Sequence, residues 1–277
     1  AYFYLCSRID FRWSTRDYRI FDPRSCGPFC CGFRGGISVS RTIASCASCR
    51  SFAKAGPLIR FVKIMNSLYA TLSDVRMQSV LRLYGVETDS ELCEKIRIYV
   101  STLLQWNAKI SLTTITDPEQ ILRVHFGESF FAANVSGIVN GRVADIGTGA
   151  GFPGIPIRMV RQAVQLTLVE AVAKKVAFLG EVLRKINISG VHIIRCRMED
   201  ISDAGFDLIT ARALGKYNDL LRWSKARLSQ TGKIVLLLGR AEAEYLSQNA
   251  EWVWNEPKIV PDTSARVVLI GSPRQNS

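Results

Sequence analysis

Histidine and acidic residues are scarce in this 277-residue chain, which has 2 histidines and 24 Asp and Glu against 36 Lys and Arg. Long apolar runs are absent, since no stretch approaches the roughly 20 residues that a membrane-spanning helix needs. With 48% apolar and 22% charged residues, the composition excludes wholesale disorder and fibrous repeats. The sequence therefore predicts a globular protein without a membrane span, and we expect it to be soluble and cytoplasmic.

The excess of basic residues is concentrated at the start of the chain. Residues 1–64 carry 11 basic and 3 acidic side chains, so they hold +8 of the net charge of +12, and residues 65–277 hold +4. A basic protein suggests a polyanionic partner such as nucleic acid. Because most of the charge belongs to one segment, this indication is much weaker for residues 65–277.

Six of the eight cysteines also lie in residues 1–64, a basic, Cys-rich extension without helical or strand periodicity. Cysteines can ligate zinc, but the segment has no histidine and irregular Cys spacing, so we predict no metal site. The segment also resembles an organellar transit peptide, or residues translated upstream of a true start at Met65. In each case we expect it to lie outside the working fold. Cys93 and Cys196 are lone thiols, as a reducing cytoplasm permits.

Residues 65–137 are predicted to form a cap of three helices. The second begins at the capping box Thr88-x-x-Glu91. The third begins at Asp117-Pro118, an N-cap followed by a proline at the first helical position, and reaches about Ala133. The first helix spans residues 66–84, and its apolar stripe is Leu68, Leu72, Val75, Val80 and Leu83.

Residues 138–277 alternate apolar strands with helical segments. This alternation predicts a doubly wound α/β domain with a mostly parallel sheet covered on both faces, whose ligand lies at the carboxyl ends of the strands. The predicted strands are Arg142–Ile146, Gln165–Val169, Val191–Arg195, Phe206–Thr210, Lys233–Leu238 and Arg266–Ile270, and the predicted helices are residues 155–161, 173–186 and 217–228.

A glycine loop follows the first predicted strand, with Gly147, Gly149 and Gly151 at alternate positions. Glycines let the backbone turn sharply and approach a ligand closely. The spacing is GxGxG rather than the GxGxxG of dinucleotide sites. Asp145, two residues before the first glycine, suits a ligand with a cationic amino group and a sulfonium, and it repels a pyrophosphate. The loop therefore favours an adenosyl-sulfonium ligand over a dinucleotide.

Acidic residues at the ends of the next two strands extend this candidate site. Glu170 closes the second strand, where a carboxylate can accept hydrogen bonds from two ribose hydroxyls. Glu199 follows the third strand, where it can receive an adenine amino group while Met198 packs on the ring. Together with Asp145, these acids form a constellation that is more specific than any one of them.

Residues from about 92 to 270 resemble the glucose-inhibited division protein B family (RsmG type), class I methyltransferases that use S-adenosylmethionine to methylate a guanine N7 in 16S ribosomal RNA. The matching segments are Trp106-Asn107 with Leu112-Thr113, His125 with Glu128-Ser129, the glycine loop with its continuation Phe152-Pro153-Gly154-Ile155-Pro156, Lys174-Lys175 with Phe178-Leu179, Arg197-x-Glu199, and Phe206-Asp207 through Ala211-Arg212-Ala213.

The resemblance implies a class I S-adenosylmethionine-dependent fold, S-adenosylmethionine as cofactor, and 16S ribosomal RNA or the small ribosomal subunit as partner. The chain departs from the family at Glu128, where aspartate is usual, and at Leu238, where a lysine is common and Arg240 is a nearby substitute cation. By this resemblance the residues that contact the cofactor or the reacting base are Gly147, Phe152, Met198, Glu199 and Arg212.

Methylation at guanine N7 needs no base, because that nitrogen has a free lone pair, so positioning carries most of the catalysis. The turn after the fourth strand lacks the Asn/Asp-Pro-Pro-aromatic sequence common in enzymes that methylate amines. We predict that Arg212, in this turn, is the catalytic residue and reads guanine O6 or an adjacent phosphate. The alternative is an ordinary surface ion pair with Glu199 or Asp207.

RNA contacts are expected from basic side chains near the carboxyl ends of the strands. Arg123 and His125 of the cap lie beside the glycine loop and could close over the cofactor, although a hydrogen-bonded, partly buried histidine is an equally good interpretation of His125. We expect a monomer with no membrane partner. The predicted RNA-binding residues are Lys174, Lys175, Arg197, Lys216, Arg240 and Arg123.

Three other functions stay open at this stage. A nicotinamide oxidoreductase on a similar sheet would bind NAD and ignore S-adenosylmethionine. A non-catalytic RNA-binding relative would have kept the fold, and the departure at Leu238 is the one hint of it. A methyltransferase acting on another RNA or on a small molecule is compatible with the modest charge of residues 65–277.

Overall fold

Residues 67–274 are described by the structure, a computed structural model. The predicted extension of residues 1–64, with its six cysteines and the zinc question attached to them, lies outside the described residues. Three helices form the cap. Helix α1 is Asp74–Arg82, α2 is Ser90–Asn107, and α3 runs through three consecutive segments, Pro118–Gln120, the π-helical Ile121–Gly127 and Glu128–Ser136.

The first cap helix differs from the prediction. Residues 67–71 form a separate helical turn, and Ser73 then caps α1 by accepting a hydrogen bond from the Arg76 backbone N–H at 3.3 Å. This break shifts the helix phase, so the predicted stripe is wrong at two positions: Val75 is 77% exposed and Leu83 is 55% exposed. Met77 and Leu81 are buried instead.

The predicted capping box of α2 is also wrong by one residue. Asp89, not Thr88, is the N-cap, and its carboxylate accepts a hydrogen bond from the Leu92 N–H at 2.7 Å. Glu91 instead forms an i,i+4 ion pair with Lys95. An aspartate is as good an N-cap as a threonine or better, so the sequence offered two adjacent candidates. The cap predicted at Asp117 is confirmed, since its side chain accepts from the Gln120 N–H.

Eight strands form one sheet in the order β3-β2-β1-β4-β5-β8-β6, with β7 also paired to β8. Neighbours from β3 to β5 are parallel, and β8 runs antiparallel to β5. The predicted doubly wound, mostly parallel sheet is confirmed. The strands are β1 Asn140–Ile146, β2 Ala163–Val169, β3 Val191–Ile194, β4 Phe206–Arg212, β5 Leu228–Gly239, β6 Trp252–Trp254, β7 Lys258–Ile259 and β8 Arg266–Pro273.

Helices cover the sheet as the alternation predicts. The predicted helices agree with α4, α5 and α6 to within three residues at each end. Helix α7 and the short strands β6 and β7 were not predicted. The helices are α4 Gly154–Val160, α5 Ala173–Lys185, α6 Tyr217–Lys225 and α7 Arg240–Ser247.

Two apolar clusters lie on the two faces of the sheet. The larger joins cap residues such as Leu103 and Phe126 to Leu168 of β2 and Phe178 of α5, so cap and sheet share one core. The smaller holds α6 against the other face and contains Leu238, which is 1% exposed. Burial of about 25 cal/mol per Å² of apolar surface is the main source of stability for such a core. The cap is therefore packed on one face of the sheet.

The free thiols of Cys93 and Cys196 lie apart, one buried and one partly buried. No helix within residues 67–274 combines the length and the apolar character that crossing a membrane would require. Over the same residues, no group of three or more His, Cys, Asp and Glu side chains is arranged to hold a metal ion.

Candidate active site

A cavity of about 760 Å³ opens at the carboxyl edge of the sheet, where the ligand of a doubly wound domain is expected. Its volume lies within the roughly 300–1,000 Å³ that is usual for small-molecule sites. The glycine loop forms one wall, helix α3 another, and the connection between β7 and β8 a third. The lining includes Gly147, Thr148, Gly149, His125, Arg212 and Arg266.

The three loop glycines have different surroundings, although all have positive φ, at +65°, +59° and +90°. A Cβ added to Gly149 would meet nothing nearer than the Gly147 carbonyl oxygen at 3.8 Å, so this face of the loop is open to a ligand. A Cβ on Gly151 would strike the Tyr99 hydroxyl and lie 2.6 Å from Ile155 Cδ1. Gly151 therefore faces the protein interior and does not line the cavity.

Asp145 lies under the glycine loop rather than on the cavity wall, and it is completely buried. Its Oδ2 accepts hydrogen bonds from the Thr148 hydroxyl at 2.6 Å and from the Gly154 N–H at 2.9 Å, whereas Oδ1 has no partner among the described residues. Burial raises the pKa of this carboxyl to about 6. The residue holds both ends of the loop and leaves one buried acceptor atom unused.

The Glu170 carboxylate also accepts hydrogen bonds from the backbone at the glycine loop and after β2. Its Oε2 accepts a hydrogen bond from the Gly149 N–H at 3.0 Å, and its Oε1 accepts one from the Val172 N–H at 2.9 Å. A carboxylate offers about four lone-pair sites, so about two are left for ribose hydroxyls. Met198 and Glu199 lie in the 3₁₀ turn Met198–Asp200 after β3 and do not contribute to the cavity wall. The structure therefore does not bring all the predicted acids together.

Both faces of the Phe152 ring are covered. Tyr99 stacks on it at 5.1 Å between ring centroids, and His125 stacks at 4.8 Å. The ring is 4% exposed, so it reaches the cavity only at its margin. The contact that the resemblance implies for Phe152 therefore cannot be face-to-face stacking on a base. Instead, Phe152 joins the cap to the loop, helped by the Tyr99 hydroxyl, which donates to the Ala150 carbonyl at 2.6 Å.

Arg212, the last residue of β4, points into the cavity beneath the cap. Its guanidinium donates to the Val124 carbonyl at 3.0 Å and to His125 Nδ1 at 2.6 Å, and it lies 3.8 Å from the buried Glu128 carboxylate. Burial lowers the pKa of Arg212. The alternative partners are wrong: Glu199 makes no such pair, and Asp207 accepts from the Arg142 N–H and the Ser229 hydroxyl instead.

His125 is 4% exposed and hydrogen-bonded through both ring nitrogens, as the second interpretation of this residue expected. Nδ1 contacts Arg212, and Nε2 contacts the Thr113 hydroxyl at 2.8 Å. Burial, with the nearby charges of Arg212 and Arg266, lowers the pKa of the imidazole to about 3. The ring is therefore neutral at physiological pH.

Sequence reasoning missed three contributors to the cavity wall. Thr113 and Glu128 belong to matched segments but had no role assigned, and Arg266 was read only as the start of a strand. Glu128 Oε2 accepts from Arg266 Nη2 at 3.0 Å, so one buried carboxylate is shared between two arginines. Residues 113, 128, 212 and 266 are far apart in the sequence, and only the fold brings them together. Predicting this cluster would have required knowledge of which distant positions are in contact.

The predicted RNA-binding residues divide into two groups. Arg123 lines the cavity, but its guanidinium forms ion pairs with Glu119, at 3.0 Å, and with Asp262, so it is neutralised by its neighbours. The others lie at the surface near the carboxyl edge, and within residues 67–274 their side chains form no ion pair. These are Lys174, Lys175, Arg197, Lys216 and Arg240.

The site fits S-adenosylmethionine on three observations. Gly149 leaves an open approach to the backbone, the buried Asp145 keeps an unpartnered acceptor, and two carboxylates behind the loop provide the negative potential that a sulfonium ion requires. The strand order, with an antiparallel strand beside β5, is that of the class I methyltransferases. The fold and the site thus define a class I S-adenosylmethionine-dependent methyltransferase.

Comparison with known proteins gives the family. Residues 92–265 match the family model GidB, described as rRNA small subunit methyltransferase G. The chain is 34% identical over 170 residues to a "Ribosomal RNA small subunit methyltransferase G" of Desulfitobacterium hafniense, covering 60% of this chain and 70% of that protein. A protein of the same name from Myxococcus xanthus is 32% identical over 201 residues, covering 70% and 90%. The chain belongs to the GidB family.

A solved ribosomal protein L11 methylase from Lactobacillus delbrueckii subsp. bulgaricus superposes with a TM-score of 0.49 at 15% identity, over 55% of this chain and 79% of that chain.

Proposed function

We propose that this chain transfers a methyl group from S-adenosylmethionine to guanine N7 in 16S ribosomal RNA of the small ribosomal subunit. The observation that carries this proposal is a cavity with an open backbone face at Gly149, in whose wall the side chains of His125, Arg212 and Glu128 are all hydrogen-bonded or ion-paired within the protein. The one histidine of the cavity is neutral and engaged at both nitrogens. A site without an available base suits a nucleophile that has no proton to lose.

The reaction places few demands on the protein. When bound, S-adenosylmethionine supplies a methyl group on a positively charged sulfur. The guanine N7 lone pair forms the new N–C bond as the C–S bond breaks and sulfur keeps the electron pair, and no proton moves. Positive charge passes from the sulfur to the purine, and the Glu128 carboxylate is part of the cavity wall. Alignment of the two reactants is therefore the main source of rate enhancement.

Residues of the chain take the following roles in this proposal. The Gly149 backbone, with Asp145 behind it, holds the amino-acid end of the cofactor, and the remaining lone pairs of Glu170 receive the ribose. Met198 and Glu199, in the turn after β3, receive the adenine end. Arg212 contacts guanine O6 or an adjacent phosphate with the N–H groups that its protein partners leave over. The further cofactor contacts are Gly147 and the margin of the Phe152 ring, whereas Gly151 supports the loop from the protein interior.

The surface basic residues would guide the RNA to the cavity. Lys174, Lys175, Arg197, Lys216 and Arg240 follow strands or begin helices at the carboxyl edge, so their charges surround one opening. Phosphate contacts of this kind position a nucleic acid without reading its sequence. Arg123, which is already paired, contributes to the wall of the cavity rather than to this surface. We further propose that the protein acts as a monomer in the cytoplasm.

The most direct test is mass analysis of 16S ribosomal RNA from cells that lack the gene. One 7-methylguanine should disappear and should return when the gene is restored. Calorimetry on the purified protein should detect binding of S-adenosylmethionine and none of NAD. If every methylated guanine persists while the protein still binds the cofactor, the substrate is another RNA or a small molecule.

Arg212→Ala tests the proposed catalytic residue. At saturating cofactor, kcat/KM for the RNA should fall by about tenfold or more, because a charged hydrogen bond contributes about 1.5–3 kcal/mol. Arg222→Ala, an arginine on the exposed face of α6, is the matched control and should leave the rate unchanged. Unchanged methylation by Arg212→Ala would remove Arg212 from the reaction.

A further inference from the structure

The hydroxyl of Thr113 has an unusual set of partners. Its Oγ1 lies 2.8 Å from His125 Nε2 and also accepts a hydrogen bond from the Ile115 N–H at 3.1 Å. Thr113 lines the cavity, although its position in the loop between α2 and α3 gave no indication of a role. What its hydroxyl proton can do depends on which nitrogen of His125 carries a hydrogen.

Arg212 determines that tautomer. A guanidinium has only donors, so His125 Nδ1, at 2.6 Å from Arg212 Nη2, must be an acceptor without a hydrogen. The imidazole is neutral, so its single hydrogen is on Nε2 and is donated to Thr113 Oγ1. That oxygen then accepts from both Nε2–H and the Ile115 N–H, which occupies its two lone pairs. The hydroxyl is left as an obligate donor, and no protein acceptor within residues 67–274 takes its proton.

Asn107 fixes the backbone that carries this hydroxyl. Its Oδ1 accepts from the N–H groups of Leu112 and Thr113 at 2.9 and 3.0 Å, and its Nδ2 donates to the Thr113 carbonyl at 2.9 Å. Three hydrogen bonds from one side chain hold a short loop segment in a single conformation. The donor at Thr113 is therefore preorganised, which is the condition for a hydrogen bond to discriminate between ligands.

We propose that Thr113 is a specificity-determining residue that donates its hydroxyl proton to guanine O6, and that His125 is a positioning residue that makes this hydroxyl a donor. O6 is adjacent to N7 on the same edge of guanine, whereas adenine presents an amino donor there. A fixed donor therefore accepts guanine and rejects adenine next to the reacting nitrogen. This inference rests on the proposed function. It assigns guanine O6 to Thr113, so Arg212, which contacts the opposite edge of the imidazole, is left to contact the adjacent phosphate.

The test compares two substrates that differ at position 6 of the base and, with it, at the proton on N1. Small-subunit RNA is assembled with guanine or with 2,6-diaminopurine at the methylated position, which keeps N7 but replaces O6 by an amino group. The wild-type protein should methylate the guanine RNA about tenfold faster or more, since one base-edge contact discriminates by about 1–3 kcal/mol. Thr113→Val, which keeps the shape and removes the hydroxyl, should slow the guanine RNA about tenfold and leave the diaminopurine RNA unchanged.

Three further variants make the outcome decisive. Thr113→Ser should restore the preference for guanine. His125→Phe keeps a ring on Phe152 but removes the donor to Thr113, and it should also lower the guanine-to-diaminopurine ratio. Thr116→Val changes an exposed threonine of the same loop outside the cavity and should change neither rate.

The two proposals fail in different ways in this experiment. If the wild-type protein methylates neither RNA, the proposed function is wrong, and the inference falls with it. If the wild type is active but Thr113→Val slows both RNAs equally or neither, only the inference is overturned. Calorimetry with S-adenosylmethionine on each variant reports whether the cavity is still formed, so that a folding defect is not read as a loss of specificity.

Discussion

At the scale of single residues, burial decides which groups of the site carry charge. Burial lowers the pKa of His125 to about 3, so folding favours the neutral ring. Its stabilising contribution is complete above the unfolded pKa of about 6.5 and is lost as the pH falls from there toward 3. Asp145 has the opposite sign: its pKa is raised to about 6, so its contribution is complete below about 3.9 and is lost as the pH rises through 6.

The neutral state of His125 can be measured directly. The chain has two histidines, so an NMR titration of the ring Hε1 protons should give two signals, and the one from His125 should stay constant from about pH 8 to about pH 5. His192, the exposed one, provides the assignment, because His192→Gln removes its signal and leaves that of His125. A His125 signal that titrates near pH 6.5 would contradict the tautomer on which the role of Thr113 depends.

The sequence predicted which residues surround the site better than what each one touches. Gly149 and Arg212, which the sequence predicted as cofactor contacts, line the cavity. Asp145 and Glu170 were predicted as direct ligand contacts, whereas their carboxylates hold backbone N–H groups of the glycine loop. A residue type indicates that a hydrogen bond will form, but the choice between backbone and ligand depends on distances that only the fold sets.

At the scale of secondary-structure elements, residues of the same type in one loop can have different surroundings. The glycine loop after β1 allows this difference to be tested. Gly149→Ala adds a methyl group toward open space, so the protein should fold with a loss of about 1 kcal/mol from the left-handed backbone, while S-adenosylmethionine binding weakens at least about tenfold. Gly151→Ala is placed at φ +90°, beyond the usual left-handed region, and its methyl group also collides with Tyr99 and Ile155, so it should lose a further ~1–3 kcal/mol of stability.

Thermal unfolding and calorimetry separate these two variants. The expected result is a larger loss of melting temperature for Gly151→Ala and, at a temperature where both are folded, a larger loss of affinity for Gly149→Ala. The reverse order would mean that the cavity face of the loop has been misassigned. Each variant is the control for the other, because both replace a glycine with positive φ in the same loop.

Elements with long apolar patterns could be predicted from the sequence, whereas very short strands and the π-helical segment could not. All six predicted strands exist, because five parallel strands and the antiparallel β8, all inside the sheet or covered by helices, are rich in apolar residues. The strands β6 and β7 have three and two residues, too few for a period to be recognised. The π-helical segment Ile121–Gly127, which carries His125 toward the cavity, has no sequence signal that distinguishes it from ordinary helix.

At the scale of the whole molecule, the site exists only because the cap and the sheet share a core. Tyr99 of α2 stacks on Phe152 after β1, and Glu128 of α3 pairs with Arg266 of β8. These contacts join residues that lie about 50 to 140 positions apart in the chain. Periodicity reports the local conformation of each element, so the fold class was predictable while this assembly of distant residues was not.

The distribution of charge over the molecule leads to a last prediction. Lys216 and Lys233 are both exposed, but Lys216 follows β4 at the carboxyl edge, and Lys233 pairs with Leu208 in the amino-terminal half of the same strand. Lys216→Glu and Lys233→Glu change the net charge equally. If the opening of the cavity receives the RNA, Lys216→Glu should weaken RNA binding several-fold and reduce the slope of log affinity against log salt by about 1. Lys233→Glu should change neither, and equal weakening by both would mean that the whole surface attracts RNA without a preferred face.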